Sequence, residues 1–209
     1  MPNVLQVHHP LVAHRLATLR DVGTDNGHFR TCLAELSEML VYEATRTLPT
    51  EAATVTTPLG PAAARRLVSP PRLVPVLRAG LGMLEGALRL LPDAEVGFVG
   101  LKRNEETLQP DSYLTALPAD LGGAEVLVLD PMLATGGSLV ATLELLGGIG
   151  VGAVTVLCVL AAPEGLARLD AAGFSSVRVV TASVDERLNE IGYIVPGLGD
   201  AGDRQFGAY

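Results

Sequence analysis

One stretch constrains this chain more than any other: AEVLVLDPMLATGGSL, running from Ala124 to Leu139. Ala124 to Leu129 is a short, nearly continuous apolar run rich in valine and leucine, the pattern of a parallel strand buried on both faces. Asp130 ends the run. After Pro131, Met132, Leu133 and Ala134 comes Thr135-Gly136-Gly137-Ser138. The pattern then turns helical, with Leu139, Leu143 and Leu146 on one face and Gly147-Gly148 as the stop. A strand, a glycine-bearing loop and a helix therefore follow one another.

The first turn of a helix leaves backbone N–H groups unpaired, and two glycines let a ligand approach that backbone closely. Thr135 to Ser138 is thus suited to cradle a phosphate, with the hydroxyls of Thr135 and Ser138 as further donors. Other phosphate loops do not fit: a Walker loop needs a lysine where Gly137 stands, and the dinucleotide fingerprint needs a third glycine at fixed spacing. A carboxylate at the end of the strand, Asp130, is placed to accept hydrogen bonds from sugar hydroxyls while the cradle holds a 5′-phosphate. A ribose phosphate is the ligand this order suggests.

At these residues the chain resembles the phosphoribosyltransferases, whose hallmark is a strand ending in acid followed by an ATGG[ST] loop. Most of that superfamily carries two adjacent acids where this chain has Asp130-Pro131, and DPMLATGGS as a unit is similar to the uracil phosphoribosyltransferase branch. The resemblance implies that Asp130, Pro131, Met132, Leu133, Ala134, Thr135, Gly136, Gly137 and Ser138 bind phosphoribosyl pyrophosphate.

At 209 residues and 48% hydrophobic composition, the chain is long enough for one large domain with a full core. No apolar run approaches a membrane span and no signal-type leader opens the sequence, so the expectation is a cytoplasmic protein. Cys32 and Cys158 lie far apart in apolar contexts and read as buried hydrophobes. The net charge of −8 argues against non-specific nucleic-acid binding. It also requires an acidic protein that binds a polyanion to gather positive charge locally or to recruit a cation.

In chain order, residues 1 to 9 are too short and mixed to read. Val12, Leu16 and Leu19 form one face of a helix opened by Pro10, and His8, His9 and His14 suit a helix-start surface better than a metal site. A second helix follows Asp25-Asn26-Gly27, with Phe29, Leu33, Leu36 and Leu40 in register and Cys32, Met39 and Tyr42 thickening the stripe. Thr54 to Thr57 reads as a weak edge strand and Pro58 to Pro71 as a loop with a short helical piece. Leu73 to Leu77 is a strand made irregular by Pro75. It closes on Arg78-Ala79-Gly80 before a helix marked by Leu81, Leu84, Leu88 and Leu91.

Glu95 to Leu101 reads as the next strand, ending in Lys102-Arg103, and Leu108 to Leu121 as an exposed loop or two-stranded flap. After the organising loop come a strand at Val151 to Leu160, a helix from Pro163 to about Gly173 and a strand at Val177 to Ala182. This alternation predicts an α/β, doubly wound, mainly parallel central sheet. In such sheets ligands bind outside the carboxyl ends of the strands, so Arg78 and Asp130 face one crevice. Asp185 to Glu190 reads as a polar surface segment without a function. The glycine-rich end, IGYIVPGLGDAGDRQFGAY, has enough apolar residues to dock and enough glycines to bring backbone edge-on to a planar base.

The resemblance covers nearly the whole chain. It implies the phosphoribosyltransferase fold as one domain over residues 1–209, with N-terminal helices (1–50), an α/β core (72–182), a flap arm (104–121) and a uracil-binding hood (183–209). VPVLRAGLGM resembles the family's pyrophosphate loop, so Arg78 and Arg103 are expected to carry phosphate charge, and Lys102 stands where relatives have an aromatic residue. GYIVPGLGDAGDRQFG matches the uracil segment: Ile194, Gly199, Asp200 and Ala201 hold the base, and Asp200 reaches toward the ribosyl donor. Arg78, Arg103, Asp130 and Asp200 are the implied catalytic set. The implied reaction is uracil plus phosphoribosyl pyrophosphate giving UMP and pyrophosphate, with Mg2+ held through the pyrophosphate and water, no direct protein ligand, a homo-oligomeric assembly, and GTP as an activator in some relatives. An RNA-binding regulator on this fold would need a basic face, and a nicotinamide-dependent oxidoreductase would need the missing fingerprint.

Overall fold

The computed structural model describes residues 1–103 and 110–208. The chain runs β1 (Asn3–Gln6), α1 (Pro10–Arg20), α2 (Asn26–Ala44), β2 (Thr50–Thr57), β3 (Gly60–Leu67), β4 (Arg72–Leu77), α3 (Leu81–Leu90), β5 (Phe98–Arg103) and β6 (Pro110–Ala116). It continues through β7 (Val126–Leu129), β8 (Met132–Leu133), α4 (Gly137–Gly147), β9 (Val154–Ala161), α5 (Pro163–Ala171), β10 (Arg178–Val184), β11 (Arg187–Leu188), β12 (Ile194–Val195) and α6 (Ala201–Phe206).

The central sheet has the order β1-β10-β9-β7-β4-β5-β6, with β8 also paired to β9. Only the β5–β6 pairing within it is antiparallel. Each inner strand divides its residues between the two faces, as a period of two requires. Leu127, Leu129, Leu157 and Val159 join the core under α1, α2 and α3. Val126, Val128, Val156 and Cys158 join the core under α4 and α5. Helices thus cover both faces, and the doubly wound prediction holds.

The connections reverse at the middle of the sheet. β4 and β7 are paired neighbours, Leu73 opposite Leu127, yet β4 leads into α3 on one face and β7 into α4 on the other. Chain leaving two adjacent parallel strands in opposite directions opens a crevice at their carboxyl ends. Arg78 and Asp130 follow those two ends.

Pro75 sits inside β4. Leu73 donates to Glu95 and accepts from Gly97, both at 2.9 Å, and two residues later the same edge presents a proline nitrogen with no hydrogen. The ladder to β5 lapses there and resumes at Val76 opposite Val99 in the same register.

The helix ends are chemically defined. His9 caps α1 through its ring, accepting from Leu11 N–H, with Pro10 at the first turn. Asp25 caps α2 by accepting from His28 N–H at 2.9 Å. The stripes Val12-Leu16-Leu19 and Phe29-Leu33-Leu36-Leu40 are buried, and Cys32 and Cys158 are buried free thiols. Tyr42 does not extend the second stripe: it is 64% exposed. In α3 the buried face is Met83, Gly86 and Ala87, whereas the expected Leu81 is exposed. Gly86 is there because α2 passes so close: a Cβ at Gly86 would stand 2.1 Å from the Ala34 carbonyl oxygen.

The readings of residues 50–67 and of Asp185 are corrected, and two other segments become defined. Residues 1–9 contain an edge strand, β1, paired with β10 from Asn3 opposite Arg178. Residues 50–67 form an antiparallel hairpin, Thr50 opposite Leu67, and not an edge strand followed by a loop with a helical piece. Pro110 to Ala116 is an edge strand along β5, while residues 104–109 of the expected flap lie outside the described residues. Asp185 is a buried anchor and not part of a polar surface segment.

Candidate active site

Strand, glycine loop and helix follow one another as the spacing required. β7 ends at Leu129, Asp130 keeps sheet pairing through its N–H to Leu157, and α4 starts at Gly137 with no side chain capping its first turn. The two glycines have different tasks. Gly136 lies at φ +78, where a side chain is strained, and a Cβ there would meet the Gly165 carbonyl at 3.0 Å. Gly137 faces open space, its hypothetical Cβ touching only Thr135 Oγ1 at 3.8 Å. The first lets the chain turn into the helix, and the second leaves the uncapped amides accessible to an anion.

Asp130 is buried at 8% exposure, and its Oδ1 accepts from Met132 N–H at 3.2 Å. Burial raises the carboxyl's pKa to about 7, only partly offset by that amide. With no partner for its charge among the described residues, the group is poised to take hydrogen-bond donors.

The Arg78 loop packs directly against β7. A Cβ at Gly80 would lie 2.4 Å from the Leu129 carbonyl oxygen. Arg78, preceded by a cis peptide bond, has a half-exposed side chain that approaches Asp203 at 3.7 Å. Arg103 closes β5, and its side chain lies outside the described residues. Lys102 is exposed.

The C-terminal segment closes over the same end of the sheet. Gly192, at φ +85, stands against Thr135, its hypothetical Cβ 3.3 Å from Cγ2. Asp200 caps α6 by accepting from Asp203 N–H at 2.8 Å. Between hood and cradle lies a cleft of about 430 Å³. Thr135 and Ser138 line it on one side, and Ile194, Gly199, Asp200 and Ala201 on the other. Met132, Ala134 and Ala79 reach it too. Pro131 and Leu133 are buried behind it: the Pro131 carbonyl accepts from Val159 and Leu160, and Leu133 pairs with Ala161.

The family model described as uracil phosphoribosyltransferase matches residues 6–208. The chain belongs to the uracil phosphoribosyltransferase family. A relative of that name from Streptomyces avermitilis is 59% identical over 205 residues, 97% of each chain. A solved protein of Aquifex aeolicus superimposes with a TM-score of 0.91 at 45% identity, covering 98% of both chains. An adenine phosphoribosyl transferase of Trypanosoma brucei shares the fold at TM-score 0.59 and 12% identity, over 88% of this chain and 84% of that one.

For a uracil phosphoribosyltransferase family member, the reading of single residues missed how the hood is anchored. Asp185 takes both arms of the Arg20 guanidinium, at 2.6 and 2.7 Å. Burial, the largest effect, would raise its pKa, but Arg20, Gly197 N–H and Ser183 together hold it below the usual carboxylate value. Arg204 donates to the carbonyls of Leu19, Leu198 and Asp21 and lies 4.7 Å over the Phe29 ring. Gln205 is fully buried and joins the Ala79 and Ala201 carbonyls. The signal for Asp185 was present: it follows the last residue of a parallel strand, as Asp130 does.

Proposed function

We infer that this chain is a glycosyltransferase that moves the 5-phosphoribosyl group from phosphoribosyl pyrophosphate to uracil, giving UMP and pyrophosphate. The observation that carries this reading is a single cleft with an uncapped helix start on one wall and a glycine-rich backbone turn on the other. The family to which the chain belongs supports uracil as the base.

In this reading the amides and hydroxyls of Thr135 to Ser138 hold the 5′-phosphate, and Asp130 accepts from the ribose hydroxyls. Uracil lies against Ile194, Gly199 and Ala201, and Asp200 stands at the junction of base and ribose. The bond from the anomeric carbon to pyrophosphate oxygen breaks as the bond to a uracil ring nitrogen forms, and that nitrogen gives up its proton. Positive charge grows on the ribosyl ring and negative charge on the leaving group, so positioning and charge stabilisation do the catalytic work. Arg78 and Arg103 stabilise the departing pyrophosphate.

Mg2+ belongs to this reading. Among the described residues no group of three or more His, Cys, Asp or Glu side chains could hold a metal. Asp200, which lines the cleft, accepts from Asp203 N–H, and Asp130, buried beside it, accepts from Met132 N–H. If Mg2+ is brought in by the pyrophosphate, Asp130 and Asp200 would accept hydrogen bonds from the water around it. When bound, it neutralises leaving-group charge.

Homo-oligomerisation is supported by the hairpin of β2 and β3, which forms its own sheet and exposes Leu59, Leu67 and Val68. A two-stranded hairpin is marginal by itself, and sedimentation velocity tests for a second copy. Cytoplasmic residence is supported by two free thiols. Activation by GTP is tested by initial rates with and without it. The decisive assay follows pyrophosphate release from the donor with uracil against cytosine, hypoxanthine and orotate. Release with uracil alone is expected, and equal release with a purine overturns the reading.

A further inference from the structure

The pair Arg20–Asp185 grips the backbone of one residue, Gly197, from both sides rather than merely joining two side chains. Asp185 follows β10 and is rooted in the sheet by its N–H to the Ala161 carbonyl at 2.9 Å. Its side chain is 2% exposed. Oδ1 accepts from Arg20 Nη2 at 2.6 Å and from Ser183 Oγ at 2.9 Å, and Oδ2 accepts from Arg20 Nη1 at 2.7 Å and from Gly197 N–H at 2.9 Å. Arg20 Nη1 also donates to the Gly197 carbonyl at 2.8 Å. Both polar atoms of Gly197 are therefore held, one by each partner.

Gly197 sets the turn between two residues that line the cleft. It lies at φ +64, and a Cβ there would stand 2.1 Å from the Ile194 carbonyl oxygen, so the chain doubles back tightly on β12. Ile194 precedes that turn and Gly199 follows it, and both face the cleft. Next to Gly197, the Leu198 carbonyl is taken by Arg204, whose other bonds go to the Leu19, Asp21 and Thr24 carbonyls at and just after the end of α1. The turn hangs from the C-terminal end of α1, far in sequence from the phosphate cradle.

We propose that Arg20 and Asp185 are positioning residues for the nucleobase: they fix Gly197 so that the backbone at Ile194 and Gly199 meets the base edge-on. This rests on the reading of the cleft as a base and ribosyl-donor site. Among the described residues, neither bonds to Thr135–Ser138 or to Asp130, so their loss falls on the base and spares the donor. A bidentate fork between two fixed oxygens is a task for arginine, and lysine does not reproduce it.

The test is steady-state kinetics of Arg20→Ala, Arg20→Lys and Asp185→Asn, with thermal melts to establish folding. The expected result is a rise of about tenfold or more in the KM for uracil, with the KM for the donor within about twofold of the parent. Arg20 is 25% exposed, so added guanidinium is expected to enter the Arg20→Ala gap and bring the uracil KM back down. A uracil KM that stays put, two KM values that rise together, or no response to guanidinium overturns the proposal. If Arg20→Ala does not fold, Arg20→Lys decides by the same split of KM values. A parent protein that releases no pyrophosphate with uracil refutes the underlying reading instead.

Discussion

Two buried aspartates end parallel strands in this molecule, and their surroundings drive them in opposite directions. Among the described residues Asp130 meets one amide and no cation, and burial keeps a proton on its carboxyl up to about pH 7. The unfolded chain has lost that proton above roughly pH 4. The folded, ligand-free protein therefore binds more protons between those values, and its stability falls as pH rises through the window and then levels off. Asp130→Asn is expected to raise the melting temperature at pH 8, by an amount corresponding to a few kcal/mol at most, while lowering turnover. A lower melting temperature at that pH contradicts the assignment. Donor hydroxyls require the ionised acid, so donor affinity rises toward pH 7 in the parent. Calorimetry in two buffers of different ionisation heat detects the released proton, and Asp130→Asn abolishes the part that belongs to this residue. For Asp185 the sign reverses: its stabilisation is present above the ordinary carboxylate pKa and is lost as pH falls through the lowered value.

The glycines of the cradle separate in the same way. Gly136→Ala places a side chain at φ +78 and costs on the order of 1–2 kcal/mol of stability. Gly137→Val leaves the backbone conformation acceptable but fills the space above the uncapped amides. It is expected to weaken donor binding about tenfold or more with little change in the melt. Calorimetry and thermal denaturation of the two variants check the division, which fails if Gly137→Val binds the donor normally.

At the scale of elements, the sharpest constraint is the crossing of α2 and α3. Ser37 Oγ donates to the Met83 carbonyl at 2.8 Å, and Gly86 lets Ala34 approach. Gly86→Ala forces the helices apart and is expected to cost about 2–3 kcal/mol, seen as a fall of several degrees in melting temperature with uracil and donor KM unchanged. That contact was invisible in the leucine stripe, because Leu84, Leu88 and Leu91 do pack on the core while Gly86, which sets how close the helices come, carries no apolar signal. The hairpin was hidden for a related reason: EAATVTT and GPAAARR alternate too weakly for a solvent-exposed pair of strands to announce itself. By contrast the buried strands and the loop after β7 were legible, since continuous apolar runs ending in Asp130 or Arg78 admit few other placements. β1 was too short to read, and only its pairing with β10 makes it a strand.

For the molecule as a whole, the difficulty is charge. A chain of net charge −8 is to bind a donor that is itself strongly negative. The fold answers by placing cationic and dipolar groups at one reversal point of the sheet, where Arg78 and the start of α4 leave adjacent strands. The hood, fastened by Arg20, Arg204 and Gln205, closes over the same end of the sheet. How the hood docks could not be read from its glycines, because its anchors are side chains bonded to backbone 126 to 185 residues away. The most direct measurement is a crystal structure with phosphoribosyl pyrophosphate and Mg2+ bound. The 5′-phosphate is predicted on the amides of Thr135 to Ser138 with ribose hydroxyls on Asp130. A donor bound elsewhere, with those amides solvated, contradicts the account.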